Sequence, residues 1–130
     1  MQNSKTKPIS PDLHGLADYA FALASATVPT VLGTEKKTIK LYQMIALQVF
    51  LYGAFSEHQF AIKRLIPLDI HRKIDLVNLA GIALLSANKK IRNDKNTLAF
   101  NLALLGVGLV NVWLTDWSGS KRRAKLKSKN

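Results

Sequence analysis

The sequence predicts an all-α protein: a bundle of four transmembrane helices built from two tandem helical hairpins. Three observations predict this fold. The charged residues are concentrated in five stretches that leave four apolar segments between them. The fourth segment is apolar around nearly its whole circumference, as expected of a helix in lipid. A pattern of histidine and aspartate in the first segment recurs in the third, which indicates an internal repeat.

The composition limits the classes of protein that the chain can be. With 130 residues and a hydrophobic content of 48 %, it has the length of one domain and is too apolar for a disordered tail. The absence of cysteine excludes disulfide bonds, thiol nucleophiles and cysteine-ligated metal sites. The net charge is +11, but the pattern shows no folded basic face, so we expect no nucleic acid partner.

The four apolar segments are the predicted helices. The first follows the sequence Ser10-Pro11-Asp12, which has the residues of a helix N-terminus, and it ends at Pro29 and Gly33. A spanning helix needs about 20 mainly apolar residues. The first and fourth segments reach that length, the second almost does, and the third does so only if its polar ends extend to the membrane surface. The segments cover residues 13–31, 39–56, 74–87 and 97–114.

The domain organisation follows from these segments. We expect a membrane domain at residues 11–117 with hairpins at 11–58 and 67–117, preceded by a polar segment at 1–10 and followed by a basic tail at 118–130. Four spans place both termini and the central loop on one side, which holds twelve of the 19 Lys and Arg residues. The positive-inside rule then predicts a cell-membrane protein with both termini in the cytoplasm. The expected partners are the lipid bilayer, anionic headgroups at the tail and a second copy in a homodimer.

An internal repeat relates the two hairpins. The pattern apolar-His-x-x-x-Asp occurs at residues 13–18 and again at residues 70–75. The second helix of each hairpin ends in a hydroxyl residue followed by an acid, at residues 56–57 and 115–116. Because each repeat has an even number of spans, the repeats are predicted to be parallel and related by a pseudo-two-fold axis along the membrane normal.

This topology gathers the unusual polar side chains near the cytoplasmic face. A histidine and an aspartate four residues apart lie on one side of a helix, so each pair can bond within its helix or to the other pair. Acids within spans are costly and usually face a bundle interior or a water-filled cavity. The candidate cluster comprises His14, Asp18, Glu57, His58, His71, Asp75 and Asp116.

Three interpretations of this cluster are open. The cluster can lock the two hairpins together, it can form a path for protons or cations, or it can bind a divalent metal through two histidines and two carboxylates. No nucleophile arrangement, phosphate-binding loop or paired-carboxylate motif is present. We therefore expect no enzyme, no catalytic residue and no cofactor, and a structural or interaction role in the membrane. A soluble four-helix bundle that binds a partner is the alternative.

Two smaller predictions concern packing and the membrane surface. Gly81, Gly106 and Gly108 are interpreted as positions where helices approach closely. The aromatic belt at the membrane surface is predicted to contain Tyr42, Tyr52, Trp113 and Trp117.

Three stretches of the chain resemble small uncharacterised bacterial four-helix membrane proteins of the SPW-repeat type. The similarity is carried by Ser-Pro-Asp-Leu-His-Gly-Leu-Ala-Asp-Tyr at residues 10–19, by residues 63–67 leading to His71 and Asp75, and by Trp-Leu-Thr-Asp-Trp at residues 113–117. The chain departs from the family at Ser56-Glu57, where the family has Thr-Asp, and lacks the Pro-Trp or Pro-Phe that follows the third helix. The resemblance implies the fold and the membrane location, and it implies no activity.

Overall fold

A computed structural model describes residues 7–118, and most of these residues are helical. The helices are α1 (Pro11–Val31), α2 (Lys36–Ala54), α3 (Leu68–Leu85), α4 (Lys89–Arg92) and α5 (Lys95–Leu114). The predicted all-α class is therefore confirmed for this part of the chain, with four long helices and one short one. The polar segment at residues 1–10 and the basic tail at 118–130 fall mostly outside the described residues.

The start of α1 has the predicted chemistry. The Ser10 hydroxyl oxygen accepts a hydrogen bond from the Leu13 N–H at 3.1 Å, and Pro11 occupies the first helical position. Pro29 lies within the last turn, and the helix ends at Val31. Gly33 follows with a φ of 71°, a conformation that suits glycine and reverses the chain toward α2.

Helix α3 begins earlier than predicted. The sequence predicted its apolar segment at residues 74–87, whereas the helix covers Leu68–Leu85. The difference arises because the first turns carry Asp69, Arg72 and Lys73 on their exposed side, and these charges hid the start of the helix. The short α4 was not predicted. It is capped by the Asn88 side chain and buries Ile91 completely.

The long helices pack as two hairpins, with α1 against α2 and α3 against α5, and α1 also contacts α5. Two apolar clusters fill the interior. One contains Tyr42, Ile82, Ile91 and Leu104, and the other contains Ala22, Val49 and Tyr52. The interpretation of Gly81 and Gly106 as close-packing positions is wrong, because nothing lies within 4 Å of a Cβ built at either residue. Gly108 does pack closely, against Leu79.

Equivalent residues of the two halves make equivalent contacts. The Ile9 backbone pairs with Thr115 at the end of α5, and Ile66 pairs with Ser56 at the end of α2. Ile9 and Ile66 are 57 residues apart, as are the two histidines of the repeat, while Ser56 and Thr115 are 59 apart. The repeat that the sequence indicates is thus present in space, with two extra residues in the turn of the second hairpin.

One of the helices within residues 7–118 meets a length and composition test for crossing a membrane. It is α5, and only a third of its most apolar window is buried inside the chain. A core helix of a soluble protein passes the same test, but such a helix is mostly buried. The other three long helices carry more ionisable residues near one end, which lowers their mean hydropathy.

Candidate functional site

Four ionisable side chains from α1 and α3 meet in the interior. We call His14, Asp18, His71 and Asp75 the quartet. The Nε2 atom of His14 lies 2.9 Å from Asp75 Oδ2, and the Nε2 atom of His71 lies 2.9 Å from Asp18 Oδ2. Within each helix the corresponding histidine-to-aspartate distance is longer, at 3.3 Å. The sequence left open whether the pairs form within or between helices, and the hydrogen bonds run between them.

The quartet is inaccessible to solvent. The two histidine side chains are 2–3 % exposed and the two aspartate side chains 6–9 %. Charges in such a place are costly unless they are paired and their remaining polar atoms are hydrogen-bonded. The alternating ring of two nitrogens and two oxygens provides the pairing, and it joins α1 of one hairpin to α3 of the other.

Hydroxyl groups fix the orientation of both imidazoles. The Nδ1 atom of His14 lies 2.7 Å from Thr115 Oγ1, and that of His71 lies 2.5 Å from Ser56 Oγ. Each hydroxyl donates its proton to a backbone carbonyl one turn earlier, Asn111 O for Thr115 and Tyr52 O for Ser56. Each ring must therefore donate from Nδ1, which leaves Nε2 as the atom that faces the carboxylates.

The outer oxygens of the two carboxylates have different partners. The Tyr52 hydroxyl donates to Asp75 Oδ1 at 2.7 Å and accepts from Asn78 Nδ2 at 3.2 Å. The equivalent residue in the second hairpin is Asn111, whose Nδ2 reaches Asp18 Oδ1 only at 3.5 Å. The Asn111 Oδ1 atom is buried and has no hydrogen-bond partner. One carboxylate is thus held firmly and the other weakly.

A small cavity lies beside the weakly held carboxylate. Its volume is about 30 Å³, which is room for one water molecule. Its polar lining consists of Asp18, Asp75, Tyr52, Asn78 and Asn111, and apolar side chains form the rest. The unpartnered Asn111 oxygen belongs to a residue that lines this cavity.

Trp117 covers the quartet on the side where the chain leaves the bundle. Its ring lies 4.7 Å from the His14 ring and 5.9 Å from the His71 ring, measured between centroids. The indole N–H donates to the Val112 carbonyl at 2.9 Å. The sequence predicted Trp117 as a membrane-surface residue, whereas its ring packs on the imidazoles. Trp113 is 74 % exposed, but the prediction of Tyr42 and Tyr52 for the same belt is wrong, because both are buried.

The other members of the predicted cluster lie outside the quartet. His58 is buried, and its Nε2 donates to the Gly53 carbonyl at 2.6 Å while its Nδ1 accepts from the Phe60 N–H at 3.2 Å. The backbone N–H groups of Glu57 and Asp116 donate to the carbonyls of Ile66 and Ile9, respectively. These hydrogen bonds belong to the equivalent backbone pairings of the two halves. These three residues are therefore not members of the four-residue ring.

Sequence reasoning missed the residues that support the quartet. Ser56 and Thr115 were noticed only as matching helix ends, and Tyr52 and Asn111 were not linked to the acids. A usable signal exists, because in both second helices the hydroxyl residue follows its carbonyl partner by four positions. That spacing lets a hydroxyl bond back to its own helix and present its oxygen sideways.

A second polar group lies at the other end of the bundle and was also missed. The Tyr42 hydroxyl donates to Asn101 Oδ1 at 2.7 Å, and Asn101 Nδ2 donates to the Ile82 carbonyl and to Ser86 Oγ, both at 3.0 Å. Thr34 and Thr97 bond to each other at 2.8 Å. Each end of the bundle thus has buried hydrogen bonds between the two hairpins.

The quartet is also a possible metal site. One ligand atom from each of its four residues lies within 4.8 Å of the other three, and all four residues are buried. Two imidazoles and two carboxylates are a ligand set that divalent transition metals accept.

No protein family, curated protein or solved structure matches this chain. The similarity to SPW-repeat proteins therefore stays a prediction, and the function is argued from the geometry alone.

Proposed function

We propose that this chain is a multi-pass integral membrane protein in which the quartet locks two helical hairpins together, with a structural or interaction role and no catalysis. The supporting observation is the distribution of polarity. The four ionisable side chains of the quartet and their hydrogen-bond partners lie inside, while many large apolar side chains lie outside. Among the exposed ones are Leu23, Val31, Met44, Leu47, Val77, Leu84, Val107 and Trp113, each more than half exposed.

The helix lengths support the same proposal. The four long helices have 18–21 residues, which at 1.5 Å per residue corresponds to about 27–32 Å, close to the thickness of a bilayer core. Soluble monomers rarely leave contiguous apolar surface exposed on this scale. In lipid the same surface is well solvated, and the four ionisable side chains of the quartet are shielded within the bundle.

The lock explains why charged residues lie at this depth. In a bilayer there is little hydrophobic force between helices, so packing and polar contacts hold them together. The quartet, its two hydroxyls and Tyr52 connect α1, α2, α3 and α5 through one hydrogen-bond network. A partner protein or a second copy would then bind a bundle of defined shape.

Membrane extraction tests the location. The full chain is expressed in bacteria and the membranes are washed with alkaline carbonate and then with urea. We expect the chain to stay with the lipid until detergent is added. Release into the carbonate wash would contradict the proposal and favour the soluble bundle.

Cysteine labelling tests the orientation, because the natural chain has no cysteine. Lys63→Cys and Lys89→Cys form a matched pair, since both lysines are exposed and lie at opposite ends of the bundle. A membrane-impermeant maleimide should label Lys89→Cys in intact cells and Lys63→Cys only after permeabilisation. The reverse pattern would place the termini outside the cytoplasm.

One observation favours a second candidate, the handling of protons or cations. The cavity beside Asp18 and Asp75, together with the unpartnered Asn111 oxygen, is a polar space adjoining the quartet. Proteoliposomes with an entrapped pH-sensitive dye test this candidate. A proton flux that the wild type supports and Asp75→Asn abolishes, with His58→Gln unaffected, would favour it over the purely structural role.

A further inference from the structure

We propose that the quartet binds one divalent transition-metal ion, with Zn²⁺ as the reference ion, through His14 Nε2, His71 Nε2, Asp18 Oδ2 and Asp75 Oδ2. The site goes beyond the structural role proposed above. It rests on four observations: the spacing of the ligand atoms, their charge, their supporting hydrogen bonds and the adjoining cavity.

The spacing matches a four-coordinate ion. The four ligand atoms form a ring of alternating nitrogen and oxygen with edges of 2.9, 3.3, 2.9 and 3.3 Å. Ligands held at about 2.0–2.1 Å from a tetrahedral Zn²⁺ are about 3.3 Å apart. The four edges of the ring are therefore within a few tenths of an ångström of this spacing, and the diagonally opposite ligand atoms lie within 4.8 Å of each other.

The charges of the ligand set balance a divalent cation. Two carboxylates carry two negative charges in a place that is less than a tenth exposed. In the hydrogen-bonded arrangement two imidazolium protons neutralise them, and one divalent ion in place of those protons gives the same total. The imidazole nitrogens favour Zn²⁺ and its neighbours over Ca²⁺ and Mg²⁺, which prefer six or more oxygen ligands.

The supporting hydrogen bonds are those that metal sites use. A metal-bound histidine donates its second ring N–H to an acceptor, which sets the tautomer and aims the free nitrogen at the metal. Thr115 and Ser56 accept from Nδ1 of His14 and His71, so both Nε2 atoms point to the centre of the ring. Tyr52 in turn holds the outer oxygen of Asp75.

The cavity is the fourth observation. It adjoins both aspartates and is large enough for one water molecule. Asn111 is 7 % exposed, and its Oδ1 atom has no hydrogen-bond partner. A water molecule in this cavity, beside the ligand carboxylates, would have this oxygen as an acceptor for one of its protons.

Metal binding is tested on the full chain in lipid nanodiscs. The protein is treated with a chelator, and Zn²⁺ is titrated in competition with a fluorescent chelator of known affinity. We expect one equivalent of Zn²⁺ per chain. In the cobalt-substituted protein we expect visible absorption bands of a four-coordinate site. Binding of less than about 0.2 equivalents per chain, roughly fivefold below full occupancy, would overturn the proposal.

Three variants distinguish Zn²⁺ binding at the quartet from Zn²⁺ binding elsewhere on the chain. Asp18→Asn keeps the shape of the side chain and should lose stoichiometric binding. Ser56→Ala removes a supporting hydrogen bond and should weaken Zn²⁺ binding about 10–100-fold. His58→Gln is the matched control, a buried histidine outside the quartet, and should bind Zn²⁺ as the wild type does. Full binding by Asp18→Asn, or loss of binding by His58→Gln alone, would overturn the assignment.

Misfolding is controlled separately. Helical circular dichroism and gel filtration are measured for each nanodisc sample, and Ser56→Thr is compared with Ser56→Ala. The threonine restores the hydroxyl that the equivalent Thr115 provides in the other half. We expect Ser56→Thr to recover most of the affinity. Failure to recover it in a folded sample would contradict the positioning role of this hydroxyl.

Discussion

The two hairpins contribute equivalent residues to the ring of the quartet, but different residues to the hydrogen bonds around that ring. We call the ring and its hydroxyls the inner layer and the partners of the outer carboxylate oxygens the outer layer. In the inner layer each contributes one histidine, one aspartate and one hydroxyl, with the same distances of 2.9 and 3.3 Å in both halves. In the outer layer the first hairpin contributes Tyr52, which closes on Asp75 at 2.7 Å, and the second contributes Asn111, which reaches Asp18 only at 3.5 Å. The equivalent inner residues define the site, and the different outer residues, Tyr52 and Asn111, both line the cavity that adjoins the two aspartates.

A second difference concerns the chain just beyond the quartet. After α2 the ring of His58 packs on Gly15, where a Cβ would lie 2.5 Å from the ring nitrogen. The equivalent pair in the other half is Trp117 and Arg72, and there the indole covers the imidazoles while Arg72 is exposed. The residue at this position beyond the second helix is therefore a histidine in the first half and a tryptophan in the second. Only the histidine packs so closely that the residue it contacts must be a glycine.

The largest expected effect concerns the two aspartates. Asp75→Ala leaves two imidazoles with one carboxylate between them and the Tyr52 hydroxyl without its acceptor, so we expect a loss of about 3–5 kcal/mol in the free energy of unfolding. Asp18→Ala should lose about 1 kcal/mol less, because its outer oxygen has only a long bond to Asn111. Unfolding by sodium dodecyl sulfate in mixed micelles measures both. Equal losses would mean that the difference between the Tyr52 and Asn111 hydrogen bonds does not affect stability.

The next effect concerns the partners of the outer carboxylate oxygens alone. Tyr52→Phe removes the donor to Asp75 and the acceptor of Asn78 while keeping the ring, so we expect a loss of about 1.5–3 kcal/mol. Asn111→Ala should lose less than about 1 kcal/mol by the same measurement. If Asn111→Ala is the more damaging of the two, then the contact at 3.5 Å is stronger than its length indicates and the comparison fails.

The third effect concerns Gly15, which packs against the His58 ring. Gly15→Ala should destabilise the protein by about 1–3 kcal/mol, because the added Cβ overlaps the His58 ring. Gly81→Ala is the control in the other hairpin, where a Cβ meets nothing within 4 Å. Helix propensity alone predicts that Gly81→Ala stabilises the protein by up to about 1 kcal/mol. Thermal unfolding in detergent, followed by circular dichroism, distinguishes the two signs.

Much of this architecture could be predicted from local patterns. The start of α1 and the His-x-x-x-Asp pairs depend on residues within one or two turns, so the sequence displays them directly. The choice of partner across the axis could not be predicted, because residues four apart on a helix can bond within the helix or outside it. That choice depends on how α1 and α3 pack.

The supporting residues were hidden for a different reason. The two halves are offset by 57 residues in their first helices and by 59 in their second, because the turn containing α4 is longer. A single offset therefore does not align Tyr52 with Asn111, and apolar residues match at either offset in helices so rich in leucine and alanine. The position of Trp117 was predicted wrongly because an indole, which has an apolar ring and one N–H donor, is favourable both at a membrane surface and packed on two imidazoles.

The smallest expected effect compares the quartet with an ion pair of similar chemistry at the opposite end. Lys90 Nζ lies 2.5 Å from Glu35 Oε1 and links the turns of the two hairpins, but the side chains are 57 % and 43 % exposed. Water and salt screen such a pair, so Glu35→Gln should cost less than about 1 kcal/mol, and raising the salt concentration should remove the difference. Unfolding of the wild type and of Glu35→Gln at low and high salt measures this. A larger loss that persists at high salt would show that the hairpins depend on both ends of the bundle, and the quartet would no longer be their principal polar connection.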